Sequence, residues 1–374
     1  MLRFNTSVVA AAVLAAGFIA SSAAAFAGTT LFDVEARRAA LQTPAMKSVR
    51  ANCLAVDRKP EWVSLEPVLA LSPTEGYGTD RAANDVSIAT MVLSGRALAG
   101  DQKSETDLVA ILSKWSAAGA FLGSKEDHDP YYAMKRVLLP LIVGFEVVEA
   151  KMPDADKART KAWLDTLVRK IDKTFDGDVD FNNHRYLADS VLTLWGNYIG
   201  DAELIEKGHG RLLTALADMR ADGSLPLETR RGSRALWYSR QSLSSFTLIS
   251  ELASRRGEDF YRLSKDGKSL DLMLGFFLNG LVSPSIVNGY SAQNYIPGPD
   301  ADYRSMDLGF LSSRGNGRNY MAWSEAILAR FGSDAANSLA HRRLAQLIAK
   351  GAGNERPLID EFIGGNATCF WKTP

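Results

Sequence analysis

From about residue 82 onward, apolar residues recur at three- and four-residue spacing in one segment after another, and no run shows the two-residue alternation of half-buried strands. That period predicts helices over 86–98, 107–121, 132–150, 158–171, 183–199, 202–219, 233–252, 270–278, 320–331 and 335–349. Several connections are short, such as Gly200-Asp201 and Ala221-Asp222-Gly223-Ser224. Short links make successive helices antiparallel neighbours. The chain is therefore expected to be all-α: a solenoid, a bundle or a closed ring of helical hairpins. The lack of a fixed-length repeat counts against the solenoid. No linker separates the helices, so residues 28–374 read as one domain. Two segments interrupt the pattern, 71–81 and 283–319, both rich in Gly and Pro. Such loops are either lids over a site or surface padding, and sequence leaves the choice open.

The apolar fraction of 46% against 23% charged residues excludes intrinsic disorder, and two cysteines exclude a disulfide-stapled miniprotein. Lys+Arg and Asp+Glu both total 43. No overall field then draws in a polyanion, so nucleic acid is not an expected partner and a charged ligand must be met by a local cluster.

Residues 1–27 read as an export signal. Arg3 supplies the positive start, 8–20 an apolar run too short to span a bilayer, and Ala25-Phe26-Ala27 the cleavage site before Gly28. No later stretch is long and apolar enough to cross a membrane. A periplasmic or secreted protein is the expectation. There Cys53 and Cys369 either pair or remain two separate thiols. Neither has a second Cys or His at metal-ligand spacing, and no metal is expected.

Of four histidines, His128, His209 and His341 read as solvated surface residues. His184 differs, because it follows Asn182 and Asn183 where a helix begins. Asn182 is a natural cap, which puts Asn183 and His184 in a first turn whose free N–H groups favour anions. A second cluster runs Arg231-Gly232-Ser233-Arg234-Ala235-Leu236-Trp237-Tyr238. If 231–241 is helical, Arg231, Arg234 and Tyr238 share one stripe. Amide, imidazole, guanidinium and phenol together suit β-elimination on a polyuronate. The C5 proton is scarcely acidic until its neighbouring carboxylate is neutralised, and a base and an acid must then act at C5 and O4.

At these positions the sequence resembles the alginate lyase family of (α/α) toroid polysaccharide lyases. Its N-N-H-x-Y motif stands as Asn182-Asn183-His184-Arg185-Tyr186, and its R-x-x-R-A-L-x-Y motif as Arg231 to Tyr238. Arg231 and Tyr238 follow His184 by 47 and 54 residues, as in that family, and 222–228 resembles its D-G-x-L-P-x-E lead-in. The resemblance is strongest over 180–250. It implies an (α/α) toroid, an incomplete barrel of helical hairpins with long loops over a cleft. It further implies an anionic polysaccharide substrate (alginate, polymannuronate or a glucuronate-containing polymer) and no cofactor. Asn183 and Arg231 would neutralise the carboxylate, His184 would act as base or stabiliser, and Tyr238 as acid or as both acid and base. Arg234, Asn182 and Tyr77 would bind substrate, Tyr77 from a lid loop at 71–81. Leu187 replaces the family's usual Trp. Two other classes stay open: a glycoside hydrolase, for which Glu228, Asp178 and Asp180 are nearby carboxylates although sequence implies no pairing among them, and a non-catalytic polysaccharide-binding component.

Overall fold

The computed structural model describes residues 28–71, 81–126, 128–176, 181–293, 304–312, 318–332, 338–350 and 355–374. The signal segment 1–27 and Tyr77, with most of its loop, lie outside the described residues. The helices are α1 (Val34–Leu41), α2 (Lys47–Leu54), α3 (Arg81–Leu98), α4 (Gln102–Ala117), α5 (His128–Val148), α6 (Asp154–Thr174), α7 (Asn183–Ile199), α8 (Ala202–Asp218), α9 (Pro226–Thr229), α10 (Ala235–Arg255), α11 (Leu270–Val282), α12 (Ser285–Ser291), α13 (Ser324–Phe331), α14 (Leu339–Ala349) and α15 (Ala367–Trp371). Each of the ten sequence-predicted segments holds a helix. α1, α2, α9, α12 and α15 add to them, α12 inside the interruption at 283–319. Strand structure is confined, among the described residues, to two antiparallel pairs: β1 (Ser264–Lys265) with β2 (Lys268–Ser269), and β3 (Ile359–Asp360) with β4 (Gly365–Asn366).

Burial sorts the helices into two rings. α7 buries 14 of its 17 residues and α10 buries 17 of 21, whereas α8 buries only 6 of 17. α6 buries a single stripe, Trp163, Leu164, Leu167, Val168 and Ile171, at the three- and four-residue spacing of an amphipathic outer helix. α3, α5, α7 and α10 therefore form an inner ring, and α4, α6, α8 and α11 pack outside them. The C-terminal segment 359–366 (β3, β4 and the 3-10 turn between them) packs between α10 and α3, with α15 against α2 and α13, so the toroid is completed by residues far along the chain. Cys53 of α2 and Cys369 of α15 form a disulfide, with Cα atoms 5.5 Å apart. That settles the pairing which sequence left open.

The hairpin α7–α8 shows why these boundaries arise. Asn182 caps α7 by accepting the His184 N–H at 2.9 Å. Gly200 ends the helix at φ +75°, a conformation that costs other residues the clash of a Cβ with the backbone. Asp201 then caps α8 through the N–H groups of Glu203 and Leu204. The two helices touch at Gly208, where a Cβ would stand only 2.0 Å from the Thr193 hydroxyl. No single helix among the described residues is long and apolar enough to cross a membrane.

Candidate active site

The N-terminal parts of the inner helices α5, α7 and α10 border one pocket of about 250 Å³. Its lining includes Asn183 and His184 of α7, Arg234, Tyr238 and Gln241 around the start of α10, Tyr132 and Arg136 of α5, and Phe362 from the C-terminal segment. Asn183 is the first residue of α7. Its buried N–H donates to Glu228 Oε1 at 2.7 Å, and its side-chain amide donates to Gln241 Oε1. Helix N-termini carry partial positive charge, so the starts of α7 and α10 beside one pocket favour an anion there.

Arg231 is not on the helix. Gly232 adopts φ +55° and Gly232–Arg234 form a 3-10 turn, so α10 begins only at Ala235. The single helical stripe through Arg231 is therefore incorrect. Glycine permits a left-handed turn that a continuous helix does not contain. The turn nonetheless folds Arg231 back over Tyr238, with its guanidinium carbon 3.8 Å from the ring centre. Arg231 is buried, and its Nη1 has no hydrogen-bond partner among the described residues. Arg234 stays half-exposed at the pocket, with Asp307 4.0 Å away.

Behind this face lies Glu228, fully buried. Burial is the largest cause that pushes its carboxyl up to about 8, opposed by Arg231, the Asn183 N–H and Ser242. The other wall is held by ions: Arg136 donates to Glu361 Oε1 at 2.6 Å, and Arg318 donates to the second oxygen of Glu361. Beside them, Arg240 and Asp360 are wholly buried, 3.6 Å apart. Burial raises the Asp360 carboxyl and lowers the Arg240 guanidinium to about 10. These contacts fix the segment that presents Phe362. Among the described residues, the pocket lining holds cations, amides and aromatic rings and no carboxylate. No described group of three or more His, Cys, Asp or Glu could hold a metal ion.

The structure thus brings the sequence-identified Asn183, His184, Arg234 and Tyr238 to one pocket and sets Arg231 against Tyr238, with Asn182 beneath as the α7 cap. Tyr132, Lys135, Arg136, Gln241 and Phe362 escaped the reading of the sequence. Gln241 had a signal, three residues beyond Tyr238 on the same helix face. So did Lys135-Arg136, two adjacent cations opening an otherwise apolar run. Phe362 had none. Leu187 lines the pocket, and Trp237, Tyr132 and Phe362 supply the aromatic surface around it. His209 packs at a tilt against Phe260 and His341 stacks on Phe331, so both are packed and not merely solvated.

Residues 141–287 match the family model described as alginate lyase. A polysaccharide lyase of Stenotrophomonas maltophilia is 27% identical over 202 residues, which is 53% of this chain and 60% of that protein. The chain thus spans 60% of this curated relative's length, under two thirds. Among solved structures, alginate lyase A1-III from Sphingomonas species A1 superposes with a TM-score of 0.70 at 23% identity, over 92% of this chain and 96% of that one. Its tyrosine-to-phenylalanine variant complexed with tetrasaccharide gives 0.74 at 22% identity, over 92% and 95%. An alginate lyase from Bacteroides ovatus gives 0.56 at 17% identity, over 92% and 99%. These likenesses establish the helical toroid fold. By sequence across residues 141–287 and by fold across nearly its whole length, the chain resembles the alginate lyases.

Proposed function

We propose that the protein cleaves a polyuronate by β-elimination. The observation that carries this is the meeting of Asn183, His184 and Tyr238 at one pocket whose described lining lacks carboxylates, with Arg231 stacked on Tyr238 behind it. Asn183 and Arg231 take the uronate carboxylate, so that charge can flow onto it as the C5 proton leaves. The base is His184, or Tyr238 where proton and leaving group lie on the same face of the sugar. As the C4=C5 bond forms, the C4–O4 bond breaks and Tyr238 protonates O4. Arg234 binds a carboxylate along the chain, and Asn182 and the loop bearing Tyr77 complete the substrate contacts.

Mannuronate and glucuronate differ at C2, away from the reacting carbons, so these groups serve either polymer. A hydrolase would need two carboxyl groups flanking the bond. Glu228 instead lies buried with an oxygen on the Asn183 N–H, while Asp178 and Asp180 lie outside the described residues. Export and removal of residues 1–27, with action in the periplasm or outside the cell, belong to the same proposal. The Cys53–Cys369 bond supports it, since disulfides persist in oxidising compartments.

The test is incubation with polymannuronate, polyguluronate and polyglucuronate, following the ultraviolet absorbance of the unsaturated product. Absorbance with at least one polymer is the expected result. New reducing ends without it would identify a hydrolase, and binding with neither signal a non-catalytic component.

A further inference from the structure

One buried cation stands directly behind the proposed catalytic imidazole. Lys135 of α5 is 1% exposed, and its Nζ lies 4.5 Å from the centre of the Tyr132 ring and 4.2 Å from that of Phe175. It donates to the His184 carbonyl oxygen at 3.1 Å and stands 3.2 Å from His184 Nδ1. Two ring faces and a carbonyl oxygen form a seat suited to a charged ammonium. An ammonium has hydrogen-bond donors and no acceptor, so the bond to Nδ1 runs from lysine to histidine. Nδ1 must then carry no proton, and the ring proton sits on Nε2.

We propose that Lys135 is a positioning residue that holds His184 as the neutral Nε2–H tautomer, so that His184 meets the substrate as a hydrogen-bond donor and not as the base. The tautomer follows from the Lys135 contact alone; its consequence for catalysis rests on the lyase function proposed above. The Tyr132 ring, 4.2 Å from the imidazole and tilted by 32°, keeps the ring in this orientation. With Nδ1 occupied and Nε2 protonated, the C5 proton falls to Tyr238, which returns a proton to O4 as the C4–O4 bond breaks and C4=C5 forms. Sugar and enzyme end with the proton count they began with.

The charged and titratable groups around His184 favour its neutral form. Tyr132, Lys135 and Arg136 face the pocket or the ring from α5, and Arg234 and Tyr238 face the pocket from the start of α10. Arg185 neighbours it along α7, and the residue at the end of α6 beside Lys135 is the uncharged Phe175. Arg231 and Glu228 stand one layer back, the latter on the Asn183 N–H. Arg136, Arg185 and Arg234 face the carboxylates of Glu361, Asp189 and Asp307, and Asp176 follows Phe175, so it is the Lys135 ammonium beside Nδ1 that opposes a second proton on the imidazole.

The experiment is a two-bond nitrogen–proton correlation spectrum of the histidine rings in the uniformly 15N-labelled mature protein, with His184 assigned from the signal lost in His184→Gln. The wild type is expected to show His184 as Nε2–H, unchanged through about pH 6.5, where an ordinary imidazole titrates. In Lys135→Met the ring is expected to titrate near that pH. The kcat profile then gains an acid limb, and kcat falls about 10- to 100-fold, short of the ~10⁴ seen where a catalytic triad's imidazole takes the wrong tautomer. An Nδ1–H or doubly protonated ring in the wild type overturns the proposal, and that measurement needs no variant to fold. An unaltered His184 spectrum in folded Lys135→Met overturns it equally. A wild-type Nε2–H spectrum with no unsaturated product from any polyuronate upholds the Lys135 contact and defeats the lyase function instead.

Discussion

The guanidinium carbon of Arg231 stands 3.8 Å from the centre of the Tyr238 ring, although the two residues share no helix. The left-handed Gly232 turns the chain so that a residue outside α10 lies against one inside it. This stacking places positive charge beside the phenol and holds the ring at the pocket edge. Tyr238→Phe keeps the ring under Arg231 and removes only the hydroxyl. Turnover is expected to fall about 10²- to 10⁴-fold, the range for losing a general acid or base, while polymer binding survives. Initial rates by absorbance and calorimetric titration with polymer check this; near-normal turnover removes Tyr238 from the mechanism.

Glu228 links the two motifs by accepting the Asn183 N–H while facing the charge of Arg231. Glu228→Gln retains an acceptor for that N–H, whereas Glu228→Ala strands it in the interior. The alanine variant is expected to lose about 1–3 kcal/mol of stability, the cost of an unsatisfied buried polar group, and the glutamine variant clearly less. Urea unfolding of the two side by side is the measurement. Equal losses would mean that the bond to Asn183 is not what Glu228 contributes.

The Cys53–Cys369 bond closes a loop with a sequence separation of 316, so it ties the first helices to the segment that completes the ring. Restricting so long a loop in the unfolded chain is worth about 2–5 kcal/mol. The double variant Cys53→Ser, Cys369→Ser is expected to unfold at a lower urea midpoint than the oxidised protein. The same shift should follow a reductant. Coincident midpoints for oxidised and reduced protein would refute the constraint.

Buried carboxyls set the pH response. Burial raises Glu146 from 4.5 to about 8, only partly countered by the Leu31 N–H that donates to it at 3.1 Å. Glu228 is raised over the same interval. In this window the folded protein binds protons that the unfolded chain has released. Stability is therefore full below about pH 4.5 for these groups and is lost as pH climbs towards 8. Asp101 and Asp201, held below the ordinary carboxylate value by their hydrogen bonds and Arg partners, act oppositely and lose their contribution only as acid is added beneath about pH 4. Glu146→Gln, which keeps an acceptor for Leu31, is expected to flatten the decline between pH 5 and about 8. Thermal melts across that range decide it, and a slope as steep as the wild type's would place the titration elsewhere.

Helix content was legible because its signals are local. Residues 183–199 were delimited from sequence alone, since Asn182 caps one end and Gly200 stops the other within a few residues of each. The Arg231–Tyr238 segment was half legible: its residues were identified, its backbone was not, because one glycine at positive φ replaces a helical turn by another geometry. Lys135 and Phe362 were missed for a different reason. Lys135 acts on a residue 49 positions away, and Phe362 reaches the pocket through Arg136–Glu361, 225 positions apart.

By itself the sequence determined an all-helical chain, its caps and turns, and two motifs whose residue types suit an acidic sugar. These depend on interactions within one or two helical turns, which the order of residues encodes directly. Tertiary structure alone decided that the cysteines pair, that Arg231 stacks on Tyr238, that Lys135 faces the imidazole and that burial raises the Glu228 carboxyl. Such features depend on which distant surfaces close against one another and on how much water that closure removes, quantities that exist only once the ring of helices is complete.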